Sequence, residues 1–126
     1  MNNNIVILNF HGIGNPPRNA SQGEKDVWAK ERLFIDCIDF VASKTNMVVT
    51  FDDGNISDYS IAFPMLQKYE ITGYFFVIAG LIDKKGYCSQ KDLREMRKHG
   101  MIIGNHGMGH KSWRGLSDEE YAVELH

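Results

Sequence analysis

The stretch Val48-Val49-Thr50-Phe51-Asp52-Asp53-Gly54, VVTFDDG, takes an apolar run directly into two carboxylates and a glycine. The run has the β-branched and aromatic composition of a buried strand. Two anions side by side at the end of such a strand are costly to desolvate unless a positive charge holds them. A regular strand also sends neighbouring side chains to opposite faces. Both carboxylates can address one site only if the strand breaks there, which Gly54 eases. Taken alone, Asp-Asp-Gly reads equally well as a turn in a polar loop that continues to Asp58.

Working outward, the same strand-then-polar pattern recurs. Residues 5–10 are a short apolar run ending in His11-Gly12, fit for a strand buried on both faces. A loop rich in Gly, Asn and Pro follows over 12–26. Residues 29–43 predict a helix, with Leu33, Phe34, Cys37, Ile38 and Val41 on one apolar stripe. After the second strand, at 47–51, residues 57–69 predict a helix with Ser57 as its N-cap and a late start or kink at Pro64. Ile61, Met65 and Leu66 are its expected buried side.

The third strand is TGYFFVIA at 72–79, with Phe75 and Phe76 as core residues. A helix over 89–99 is capped by Ser89 and closed by Gly100. The fourth strand, 101–104, runs into Asn105-His106, and Ser117-Asp118-Glu119-Glu120 is a capping box opening a last helix. This alternation argues for an α/β fold with a parallel sheet, because parallel neighbours need crossovers of about a dozen residues. Ligands of such folds gather beyond the carboxyl ends of the strands. His11, Asp52, Asp53, His106 and His110 all fall there.

The 126 residues suit a single domain, 1–126. Lys and Arg number 14 against 16 Asp and Glu, a net charge of −2, which gives no reason to expect nucleic acid or an anionic membrane as partner. Met1-Asn2-Asn3-Asn4 lacks the positive region of a signal peptide, and the apolar run behind it is too short for one. No segment approaches the roughly 20 apolar residues of a membrane span. As written, the chain is expected to be cytoplasmic. Cys37 and Cys88 do not make a disulfide framework. Cys37 reads as a small hydrophobe on a helix face and Cys88 as a loop residue. Trp28 receives a plain packing role.

The second polar cluster is His106-Gly107-Met108-Gly109-His110. Two imidazoles four apart can ligate one metal ion, and the two glycines place them on a loop rather than a regular helix. A pair of solvent-facing histidines is the plain alternative. One Asp with two His is a standard ligand set for Zn²⁺ or a similar divalent ion that keeps a position open for water. Joined to the acidic pair, the cluster answers the question of the missing positive charge with a cation.

TFDDG at 50–54 and HGMGH at 106–110 resemble the first two motifs of the polysaccharide deacetylases, the NodB-homology group or carbohydrate esterase family 4. PMLQKYEITGYFFV at 64–77, HGMIIGNH at 99–106 and ILNFH at 7–11 extend the resemblance over nearly the whole chain. The resemblance implies a distorted (β/α) barrel of about seven strands, of which about four are present here, so that the chain is expected to be the N-terminal part of one. It implies Asp52 as general base, and Asp53, His106 and His110 as ligands of one divalent ion, Zn²⁺ first, with Co²⁺ or another divalent ion as the alternative. The implied reaction is hydrolysis of an N-acetyl group on a hexosamine-containing glycan. His11 and Trp113 are weaker candidates for contacts with that sugar.

The sequence departs from the family in two ways. Gly107 and Lys111 stand where the family usually has Ser or Thr and Pro after its two histidines, so a hydroxyl that would brace the loop is missing. The family's later motifs, an arginine-bearing loop and a histidine serving as general acid, find no match in His99 or His126. An amine leaves poorly without an acid. Two other readings therefore stand beside the deacetylase: a metal- and glycan-binding module without turnover, and a relative hydrolysing a small amide or cyclic ureide. An incomplete barrel leaves strand edges unpaired, so self-association is expected.

Overall fold

The computed structural model describes residues 4–125; the Met1-Asn2-Asn3 start and His126 lie outside the described residues. The main sheet has four parallel strands, β1 (Val6–Phe10), β4 (Met47–Asp53), β5 (Gly73–Val77) and β6 (Ile102–Asn105), in the order β1-β4-β5-β6. Between them run α2 (Glu31–Ala42), α3 (Phe63–Lys68) and α4 (Gln90–Lys98), and α5 (Asp118–Leu125) follows β6. Each strand thus reaches its parallel neighbour through a helical crossover, as the alternation predicts. Among the described residues, no helix is long and apolar enough to cross a membrane.

The core fills one face of the sheet. Phe10 stacks on Phe51 at 5.6 Å and Phe51 on Phe75 at 4.5 Å, while Phe34 from α2 meets Phe10 edge-on at 5.1 Å. Ile38, Leu66 and Met96 close the cluster from the three crossover helices. Truncating a fully buried Phe such as Phe51 costs about 3–5 kcal/mol, a large part of the net stability of a domain. By strand alternation the other face carries Asn9, Thr50 and Asp52, with Tyr74 and Phe76 on β5 only partly buried.

Several local expectations change. β1 is an edge strand rather than a doubly buried one, and Ile7 is 61% exposed. Residues 12–29 are not plain loop. β2 (Gly12–Ile13) pairs in parallel with β3 (Trp28–Ala29), and α1 (Gln22–Asp26) lies between them under a Ser21–Glu24 capping box. Ser57 has helical backbone angles, so it cannot serve as an N-cap; its Oγ instead accepts from the Ile13 N–H at 3.1 Å. A π-helical turn (Asp58–Ala62) precedes α3 and puts Pro64 in the first turn of that helix, where no N–H is needed. Phe63 and Ala62 join Leu66 in the core, whereas Ile61 and Met65 are only partly buried. Cys88 is buried, its Sγ donating to the Asn55 carbonyl at 3.2 Å, and burial together with Asp58 pushes its thiol up to about 12.

The caps of the last two helices form as read. Ser89 and Asp92 make a reciprocal box at α4. Ser117 and Glu120 make one at α5, with Glu120 accepting from the Ser117 N–H at 2.8 Å.

Candidate metal centre

β4 extends two residues further than its apolar run and carries both aspartates, with Asp52 beside Phe76 and Asp53 beside Val77. The strand then breaks. Asp53 has φ +79° and Gly54 φ +78°, two successive left-handed residues. Asp tolerates that region better than most side chains. The break spoils the alternation that would have pointed the two carboxylates apart.

The histidines arrive from β6. The His106 N–H donates to the Val77 carbonyl at 2.8 Å. Beyond it, the N–H groups of Ala79 and Gly80 donate to Gly107 and Met108 carbonyls, both at 2.9 Å, so the loop after β5 carries the HGMGH loop toward β4. His110 is itself left-handed at φ +55°. Backbone strain of this kind persists only where surrounding contacts over-determine it.

From the other side the loop is held by Glu124 of α5. This carboxylate is only 2% exposed, and its Oε2 accepts from the Gly109 N–H at 2.9 Å. The Glu124 carbonyl accepts from Met108 N–H at 3.2 Å. A Cβ at Gly107 or Gly109 would come within 3.1 or 2.9 Å of that carboxylate, which is why both positions suit glycine. The Asn105 side chain accepts from the Gly107 N–H at 2.9 Å. These contacts supply the bracing that a hydroxyl at position 107 would have given.

The result brings His106 Nε2 and His110 Nε2 each to 3.6 Å from Asp53 Oδ1. One ligand atom from each of the three residues lies within 4.8 Å of the others. Asp53 Oδ1 is buried and has no hydrogen-bond partner among the described residues. Donors bound to zinc at about 2.0–2.2 Å in a tetrahedron lie roughly 3.3–3.6 Å apart, so the observed spacing and the orphaned oxygen fit a divalent cation.

Asp52 is held differently. Its Oδ2 accepts from Asn9 Nδ2 at 2.9 Å and lies 3.9 Å from His11 Nε2. Its Oδ1 carries no hydrogen bond among the described residues. His11, just beyond β1, therefore stands beside Asp52, and Asn9 of β1 joins it. Trp113 and Lys111 line a cavity of about 420 Å³ with His106, His110 and Glu124. His99 lies elsewhere, against Phe63 at the end of α4. Asp58 is buried behind the pair with neither oxygen hydrogen-bonded among the described residues. Desolvation, then Asp53 and Asp52, hold its carboxyl well above the usual range.

The sequence model of the polysaccharide deacetylases matches residues 41–126. The Bacillus subtilis (strain 168) protein YxkH, named for that family, is 29% identical over 103 residues, which cover 82% of this chain and 37% of YxkH. The poly-beta-1,6-N-acetyl-D-glucosamine N-deacetylase of Staphylococcus aureus (strain MSSA476) is 33% identical over 63 residues, 46% of this chain and 22% of that protein. The chain thus spans well under half the length of these curated relatives. The Streptococcus pyogenes deacetylase PplD, solved with acetate, superposes with a TM-score of 0.80 at 23% identity over 96% of this chain and 64% of its own. IcaB from Ammonifex degensii gives 0.74 at 24% identity, over 95% of this chain and 63% of its own. At such identities the superpositions speak for the fold, an α/β sheet of four parallel strands. With the family model covering more than half of its residues, including both the TFDDG and HGMGH stretches, the chain belongs to the polysaccharide deacetylase family.

Proposed function

We propose that this chain carries the cation site and the proton-accepting carboxylate of a hydrolase that removes N-acetyl groups from hexosamine-containing glycans. The observation that carries the reading is that His106 and His110 each lie 3.6 Å from Asp53 Oδ1, next to an Asp52 that accepts a hydrogen bond from Asn9. Its substrate class is supported by the name of the Staphylococcus aureus relative.

Asp53, His106 and His110 would hold the ion, and their mixed carboxylate and imidazole donors suit zinc. When bound, such an ion supplies Lewis acidity that polarises the acyl carbonyl and acidifies water. Asp52 then accepts the proton of the attacking water at Oδ1, the oxygen that Asn9 leaves free. Asn9 orients that carboxylate by donating to its other oxygen, and His11 stands 3.9 Å from the same atom.

The test is zinc titration by calorimetry together with acetate release from β-1,6-linked N-acetylglucosamine oligomers. Asp53→Ala should lose zinc binding, whereas Asp52→Asn should retain it and lose about 10²–10⁴-fold in acetate release. An Asp52→Asn variant as active as the parent would remove Asp52 as the base. Zinc and saccharide binding with no acetate released by the parent chain would instead assign it a binding role.

A further inference from the structure

The cation site has a second neighbour that the motifs do not include. A cavity of about 210 Å³ opens on Asp53 and is lined by Glu24, Trp28, Asn55, Lys85 and Tyr87. We infer that this cavity is the subsite for one pyranose ring of the substrate, with Trp28 and Tyr87 as the aromatic walls and Tyr87 Oη as a hydrogen-bond donor to the sugar. The inference rests on the function proposed above and names where its substrate sits.

Both walls are built rather than incidental. Trp28 is placed by the β2–β3 pairing, in which Gly12 stands opposite Trp28 and the Gly14 N–H donates to the Ala29 carbonyl at 2.8 Å. Any Cβ at Gly12 would collide with the Trp28 ring, so the backbone after β1 is shaped to admit the indole. Tyr87 is placed by a short antiparallel ladder against the residues that follow the aspartates. Ile56 N–H donates to the Gly86 carbonyl and Cys88 N–H to the Gly54 carbonyl, both at 2.9 Å, with Asn55 opposite Tyr87. The two segments, far apart in the chain, therefore meet around one cavity with Asp53.

The polar groups also fit a sugar. Burial, then the charges of Asp53 and Glu24, raise the Tyr87 phenol above its ordinary value, so it remains a donor at neutral pH. Glu24 lines the same cavity; its Oε2 accepts from the Ser21 N–H at 2.7 Å, and its other oxygen is an acceptor for sugar hydroxyls. Sugar recognition needs an apolar ring face plus a few directed hydrogen-bonding groups, and a cavity below the usual 300–1,000 Å³ of drug-sized sites suits a single ring.

The experiment follows the two indole N–H signals of the ¹⁵N-labelled chain, assigned with Trp113→Phe, while a β-1,6-linked N-acetylglucosamine tetramer is added with zinc present. The Trp28 signal should move saturably, and Tyr87→Leu should weaken the binding at least tenfold, with Trp28→Phe, which keeps packing on Gly12, weakening it less. A Trp28 signal that stays still while the Trp113 signal shifts would overturn the inference, as would unchanged affinity in folded Tyr87→Leu. Zinc titration of the same sample separates the two readings. Zinc bound without any movement at Trp28 defeats the subsite alone, whereas failure to bind zinc defeats the function on which it rests.

Discussion

Asp58 shows how a single buried side chain can report on the charge around the site. Its carboxyl has an ordinary value of 3.8 and is held well above that in the fold, chiefly by desolvation and then by Asp53 and Asp52. Between those two values the folded chain keeps a proton that the unfolded chain has released. The contribution of Asp58 to stability is therefore most favourable below pH about 3.8 and falls as pH rises toward the folded value. Asp58→Asn, measured by urea unfolding with chelator present, should remove this slope, its advantage over the parent growing by up to about 1.4 kcal/mol for each pH unit in that window. An advantage that shrinks with rising pH would reverse the sign and refute the burial of a protonated acid. The neighbouring residues show what could be read beforehand. Asp52 and Asp53 announce themselves by ending an apolar strand, and His106 and His110 by their four-residue spacing just beyond another. Asn9 does not, since a lone amide inside a short apolar run carries no signal of its own, and only the β1–β4 pairing, which sets it opposite Thr50, brings it within reach of Asp52.

At the scale of elements, α5 inverts the usual rule, because its buried residue is a glutamate. Glu124 clamps the HGMGH loop through Gly109 while the loop after β5 holds the opposite edge. Outer contacts that orient metal ligands are typically worth 10–100-fold in affinity. Glu124→Ala should accordingly weaken zinc binding by about that factor, measured by competition with a chromogenic chelator, with helix content preserved in circular dichroism. Unchanged affinity in a folded variant would mean that the loop needs no clamp. Periodicity exposes α2, cap and stop residues expose α4, and continuous apolar runs expose β4 and β5. Periodicity cannot expose Glu124, which a helical pattern assigns to solvent. Nor can it expose β2 and β3, since two-residue strands are too short to carry a period, and Trp28 is consequently taken for simple packing until the pairing with Gly12 is seen. The π-helical turn is equally hidden: Pro64 signals a disturbance in the helix, but which residues absorb it depends on the Ser57–Ile13 contact across the fold.

For the molecule as a whole, the sheet order leaves β1 and β6 at its two edges. Ile5 and Ile7 on the β1 side are 70% and 61% exposed, and Ile102 on β6 is exposed as well. Neither edge strand carries the inward-pointing lysine, proline or bulge that natural sheets use to discourage pairing. In relatives of which this chain spans 37% or 22%, further chain is available to cover such edges. The 126-residue chain by itself should therefore associate through unpaired strand backbone as its concentration rises. Sedimentation velocity over a wide concentration range should show the average mass climbing in the parent. Ile7→Lys, which sets a charge on the β1 edge, should return it toward the mass of one chain. Phe40→Lys removes a comparably exposed apolar group from α2, away from either edge, and should leave association intact. If both substitutions act alike, general surface stickiness rather than strand pairing drives the assembly. If the parent stays at the mass of one chain throughout, the edges are protected by something other than a partner.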